Sequence, residues 1–177
     1  MGFWAVLILN LICAAPVSYA KSAQEIDSSV DEALNRLRLE VVGVNELINK
    51  SKAILIFPSV IKAGIGIGGE YGEGALRIKG KTVEYYNTVS GSVGLQLGAQ
   101  VKSIYMLFME DQALKDFRNS EGWKAGADGS VALIAVGANG SVDTTKTNQP
   151  IVAFVIGQKG LMYNLTLEGS KFNKIIK

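Results

Sequence analysis

No histidine occurs among the 177 residues, and Cys13 is the single cysteine. The first absence removes Ser-His and Cys-His catalysis, histidine general bases and most zinc sites. The second leaves no disulfide framework within the chain. Prolines number only three against twenty glycines, a balance that favours turns over long helices. Charge of one sign is also lacking. The formal net charge is +2, whereas a nucleic-acid surface usually needs a strongly basic face. Hydrophobic residues make up 48% and charged residues 19%, a globular composition able to bury a core. The length fits one domain.

The apolar run from Phe3 to Val17, broken only by Asn10, is short for a membrane span, which needs about 20 residues. Ser18-Tyr19-Ala20 places small residues before a cut after Ala20. This is the pattern of a signal peptide over residues 1–20, although the segment before the apolar run carries no Lys or Arg. Asn10-Leu11-Ile12 is a poor lipobox for Cys13. The expectation is an exported chain, periplasmic or envelope-associated, with one domain over 21–177; the segment is either cut after Ala20, which leaves no cysteine, or retained as an anchor.

Ser22-Ala-Gln-Glu25 has the form of a capping box. Behind it, Ile26, Val30, Leu34, Leu37, Val41, Val44 and Ile48 recur at steps of three and four. They predict an amphipathic helix that Gly43 bends or splits. Its stripe suits core packing or an interfacial position. Its polar face mixes Asp27, Asp31, Glu32, Glu40 and Glu46 with Arg36 and Arg38, which argues against docking on an anionic membrane.

Ala53 to Phe57 reads as a short buried strand ended by Pro58. Ala75–Ile78 and Thr82–Tyr86 flank the hairpin signal Lys79-Gly80-Lys81. Val93–Val101 and Ile104–Met109 read as two further strands, and Glu110–Asn119 as a helix with Ala113, Leu114 and Phe117 inward. Ser130–Val136 is expected to pair through the turn Asn139-Gly140, and Ile151–Ile156 with Leu161–Leu167 across Gln158-Lys159-Gly160. Helices that do not alternate regularly with strands indicate an α+β fold. Its sheet is expected to be largely antiparallel and glycine-rich, curled into a sandwich or partial barrel.

Gly64-Ile-Gly66-Ile-Gly68-Gly69 contains a G-x-G-x-x-G match. A dinucleotide loop must open a helix, and the following Gly72 and Gly74 oppose a helix start. Alternating glycines instead bare one face of a strand, so that a core element or a ligand can approach the backbone. Gly80-Lys81-Thr82 lacks the first glycine of a phosphate loop, since Ala75 stands there. Carboxylate pairs Glu70/Glu73 and Glu110/Asp111 lack calcium-loop spacing. No spacing nominates a Ser-Lys pair. The expectation is a non-enzymatic protein without a cofactor or metal.

The stretch Lys52–Pro58 followed by Lys62–Leu76 closely resembles the core signature of the SYLF lipid-binding family. Ser90–Ala99 resembles the family's second glycine-rich strand. Leu107-Phe-Met with Ala113-Leu-x-x-Phe117, then Trp123 and Gly126-Ala-Asp128, and finally Gly160–Ser170, resemble its later elements. The resemblance spans about Ala33 to Ser170. It implies a domain that binds anionic lipids, which are phosphoinositides in eukaryotic relatives; some yeast relatives also bind actin. This chain has a signal-like start and no SH3 or FYVE module. An exported member would meet phosphatidylglycerol or cardiolipin, and actin is not an expected partner. Lys62, Arg77, Lys79, Lys81 and Lys102 stand near strand ends as headgroup candidates, each adding on the order of 1 kcal/mol near an anionic surface. Tyr71, Tyr85 and Tyr86 suit either interfacial rings or core packing. The competing expectation is a structural or protein-interaction role in the envelope.

Overall fold

The computed structural model describes residues 20–134, 140, 142, 147–157, 160–161, 167 and 169–177. The expected signal segment and the Asn139-Gly140 hairpin lie wholly or partly outside them. Three helices pack on a mostly antiparallel, curled sheet, a half-barrel, so the chain has an α+β fold. Every described element lies beyond Ser22.

Helix α1 spans Ala23–Glu40 and opens on the expected capping box, with Glu25 N donating to Ser22 Oγ and Ser22 N to Glu25 Oε2. Gly43 adopts φ 81°, a left-handed conformation glycine takes without penalty, and α2 begins anew at Val44–Lys50. The stripe Ile26, Val30, Leu34 and Leu37 is buried. It packs on Ile54, Ile56, Tyr105 and Phe154 of the sheet, so the stripe belongs to the core.

The sheet is organised by one very long hairpin, β1 (Ala53–Ile78) with β2 (Lys81–Phe108). Its turn is Lys79-Gly80, with φ 50° and 78°, the positive pair of a two-residue primed turn. Strand β1 does not end at Pro58. A register shift between Phe57 and Val60 takes the proline into a bulge, where its missing N–H costs no ladder bond. The strands expected at Thr82–Tyr86, Val93–Val101 and Ile104–Met109 are one, β2. The polar residues Lys102 and Ser103 that separate Val101 from Ile104 are buried mid-strand, and Ser103 Oγ donates to the Pro58 carbonyl at 2.6 Å.

The hairpin folds back on itself near Gly64–Gly66, where the β1–β2 register shifts again. The glycines after this bend then lie against the backbone before it. A Cβ on Gly74 would stand 2.1 Å from the Ile56 carbonyl oxygen, and one on Gly72 would stand 2.8 Å from that of Ser59. At these positions the bare face of the strand admits another part of the core.

Helix α3 (Asp111–Asn119) follows with Phe117 buried and Ala113 and Leu114 partly so, as expected. Strand β5 (Ile151–Gly157) pairs with β2 at Lys102–Phe108, and β7 (Lys171–Ile175), which the sequence pattern left unread, pairs with β2 at Tyr85–Val89. Strand β3 (Trp123–Lys124) extends β7, β4 (Ala132–Leu133) runs parallel to β5, and β6 (Gly160–Leu161) returns antiparallel to β5. Phe117 sits at the centre of the second core, its ring 4.9 Å from Phe108, 5.0 Å from Tyr86 and 5.4 Å from Trp123.

Candidate functional site

The folded hairpin has two opposite ends, and it divides the five candidate cations between them. From the bend to the Lys79-Gly80 turn is about 40 Å of strand. Lys79 and Lys81 are exposed at the turn and form no ion pair among the described residues. Arg77, beside them, is buried. It pairs with Asp31 of α1, donates to the Asp27 carbonyl at 3.3 Å and to Thr82 Oγ1 at 3.3 Å. Thr82 and Tyr85 donate to the Asp27 carboxylate at 2.7 and 2.9 Å. Asp27 and Asp31 lie one helical turn apart, so together they fasten α1 to the hairpin.

Lys62 and Lys102 lie at the bend end and share one carboxylate. The register sets Val60 opposite Lys102 and Lys62 opposite Gln100, which makes the two lysines diagonal neighbours on one face. Glu70 reaches them from beyond the bend. Lys102 Nζ is 2.6 Å from Glu70 Oε2 and Lys62 Nζ is 3.8 Å from Oε1, with side chains 6%, 28% and 11% exposed for Lys102, Lys62 and Glu70.

Three large apolar side chains of β1 on either side of the bend are open to solvent. Ile61 is 50% exposed, Ile67 80% and Tyr71 49%. Single exposed apolar residues are ordinary, but three around one bend nominate a contact surface. Tyr71 donates to Glu73 Oε1 at 3.0 Å; burial, then that carboxylate, raises its pKa. Of the other tyrosines, Tyr85 is half-buried and bonded to Asp27, and Tyr86 is buried in the aromatic core. The sequence reading missed the apolar bend, whose signal was Ile61, Ile67 and Tyr71 interleaved with glycines.

A second charged cluster surrounds Glu84. Arg118 donates to it at 2.9 and 3.1 Å, Lys174 at 2.8 Å and Tyr86 at 2.7 Å. Burial raises the Glu84 pKa, but the donors outweigh it and hold the carboxyl at about 2. These contacts tie α3 and β7 to β2. Among the described residues no group of acidic, histidine or cysteine side chains could hold a metal ion, and no helix is long and apolar enough to cross a membrane.

The glycine-rich match Gly64 to Gly69 lies inside β1 and opens no helix. Gly64, Gly68, Gly72 and Gly74 each approach backbone atoms elsewhere in β1. Gly69 meets only the Ser90 carbonyl, at 3.5 Å for an added Cβ, and Gly66 is paired with Gly94 at the bend.

Residues 89–174 match the family model described as Ysc84: Las17-binding protein actin regulator. No curated protein matches the chain. The match takes in most of β2, all of α3 and the strands that follow, while β1 with its glycine series precedes it. Residues 89–174 thus carry a Ysc84, or SYLF, domain match, in agreement with the family that the sequence pattern resembles.

Proposed function

We propose that this chain is a lipid-binding module that associates with anionic phospholipids at a membrane of the cell envelope, and that the bend of the β1–β2 hairpin is the face that meets them. The observation that carries this reading is the set of exposed apolar side chains Ile61, Ile67 and Tyr71 around the bend, with Lys62 on the other face of the same strand. Apolar side chains with an amphipathic tyrosine suit the boundary between headgroups and acyl chains. A lysine at the same level suits a negative surface. The Ysc84, or SYLF, domain match over residues 89–174 is compatible with lipid binding. The reading requires no catalytic group and no cofactor, and it assigns none.

Flotation of residues 21–177 with vesicles tests it. Binding to vesicles of phosphatidylglycerol in phosphatidylcholine that weakens as salt rises supports the reading. Absence of binding to any vesicle composition removes it.

A second reading rests on a different surface. Leu39 is 86% and Val42 65% exposed at the junction of α1 and α2, an apolar pair suited to an envelope protein partner. Under that reading the chain is a structural or interaction protein, and Leu39→Asp with Val42→Asp abolishes partner binding while vesicles are ignored throughout.

A further inference from the structure

The cluster behind the apolar bend holds two ammonium groups and one carboxylate. Glu70 gives its short bond to Lys102, at 2.6 Å. Lys62, at 3.8 Å, lies outside hydrogen-bonding distance, and Glu70 is its only partner among the described residues. One positive charge thus stands partly withdrawn from water and incompletely compensated, a state that an incoming anion relieves.

The strand geometry sets the depth of that charge. Ile61 and Lys62 are consecutive in an extended strand, so their Cα atoms are about 3.8 Å apart and their side chains leave on opposite faces. Tyr71 and Glu70 are related in the same way. When Ile61 and Tyr71 reach the acyl boundary, Lys62 lies in the headgroup layer.

We infer that Lys62, backed by the Glu70–Lys102 pair, is a seat for the phosphate of a lipid headgroup. This deepens the membrane reading above and rests on it. Lys62 donates to a non-bridging phosphate oxygen. Lys102 does not touch the lipid; it holds Glu70 so that the carboxylate orients the Lys62 stem without cancelling its charge.

The test compares residues 21–177 as wild type, Lys62→Gln, Lys62→Met and Lys62→Arg, each checked for an unchanged melting profile. Vesicles of phosphatidylcholine alone and of phosphatidylcholine with phosphatidylglycerol serve as probes. Either neutral variant is expected to bind the anionic vesicles about fivefold more weakly at low salt, as loss of ~1 kcal/mol at an anionic surface gives. Lys62→Arg is expected to bind like wild type. Millimolar glycerol 3-phosphate, against sodium chloride of equal ionic strength, is expected not to compete. Neutral variants that bind like wild type overturn the seat and leave the membrane reading standing. Competition by glycerol 3-phosphate overturns the lipid as its ligand. Wild type that floats with neither vesicle overturns the membrane reading itself and the seat with it.

Discussion

Lys177 Nζ lies 2.9 Å from Glu73 Oε1, and the two side chains are 9% and 8% exposed. The same ammonium donates to the Lys21 carbonyl at 2.8 Å, while Lys21 N donates to Glu73 Oε2 at 3.2 Å. A carboxylate in β1 thus joins the residues before α1 to those after β7. Lys177→Ala is expected to cost about 2 kcal/mol, the range for a charged hydrogen bond removed from a buried partner. It should also speed amide exchange at Ala23–Ile26. Unfolding in urea and hydrogen exchange read both effects, and unchanged exchange at the start of α1 would contradict the linkage.

The glycine series should divide sharply in its tolerance of alanine. Gly74→Ala forces a Cβ to within 2.1 Å of the Ile56 oxygen, so the hairpin must open, at a cost of about 3 kcal/mol or more. Gly91 has nothing within 4 Å of the position a Cβ would take, and its backbone angle is an ordinary one. Gly91→Ala is therefore expected to be neutral or to stabilise by about 0.5 kcal/mol. Equal melting temperatures for the two variants would sink the folded-hairpin explanation of the glycines.

Phe117 is fully buried and touches four aromatic rings, those of Tyr86, Phe108, Trp123 and Phe172. Phe117→Ala is expected to cost about 3–5 kcal/mol in equilibrium unfolding. A loss below ~1 kcal/mol would mean that α3 is not anchored through this ring.

Acid sensitivity should trace to Glu84. Its carboxyl is held at about 2, below the ordinary 4.5, by Arg118, Lys174 and Tyr86 acting against its burial. A depressed folded pKa contributes stability that is present above about pH 4.5 and is lost as pH falls toward 2. Glu84→Gln is expected to lower stability at neutral pH and to flatten the loss across that window. An acid-unfolding profile that keeps its wild-type slope would assign the sensitivity to other groups.

What was legible in the sequence is what local chemistry encodes. The capping box at Ser22 and Glu25, the stripe from Ile26 to Leu37 and the break at Gly43 all follow from neighbours within a few residues. The Lys79-Gly80 turn does as well. Strand continuity was not legible. Pro58 reads as an end because the bulge that accommodates it depends on pairing with distant β2. Lys102 and Ser103 read as a loop because their partners, Glu70 and the Pro58 carbonyl, come from another strand. Arg77 reads as a free cation because nothing local reveals that Asp27 and Asp31 cross over it. The exposure of Ile61, Ile67 and Tyr71 emerges only once the hairpin folds back around Gly64–Gly66.

The central claim is that the bend, and not the turn about 40 Å of strand away, meets the membrane. Its most direct test is vesicle flotation of two double variants of residues 21–177, Ile61→Ser with Ile67→Ser and Lys79→Glu with Lys81→Glu. The account predicts that the first loses most of the binding to phosphatidylglycerol vesicles while the second, at the far end, retains it. Retention by the first and loss by the second would contradict it and place the lipid face at the turn.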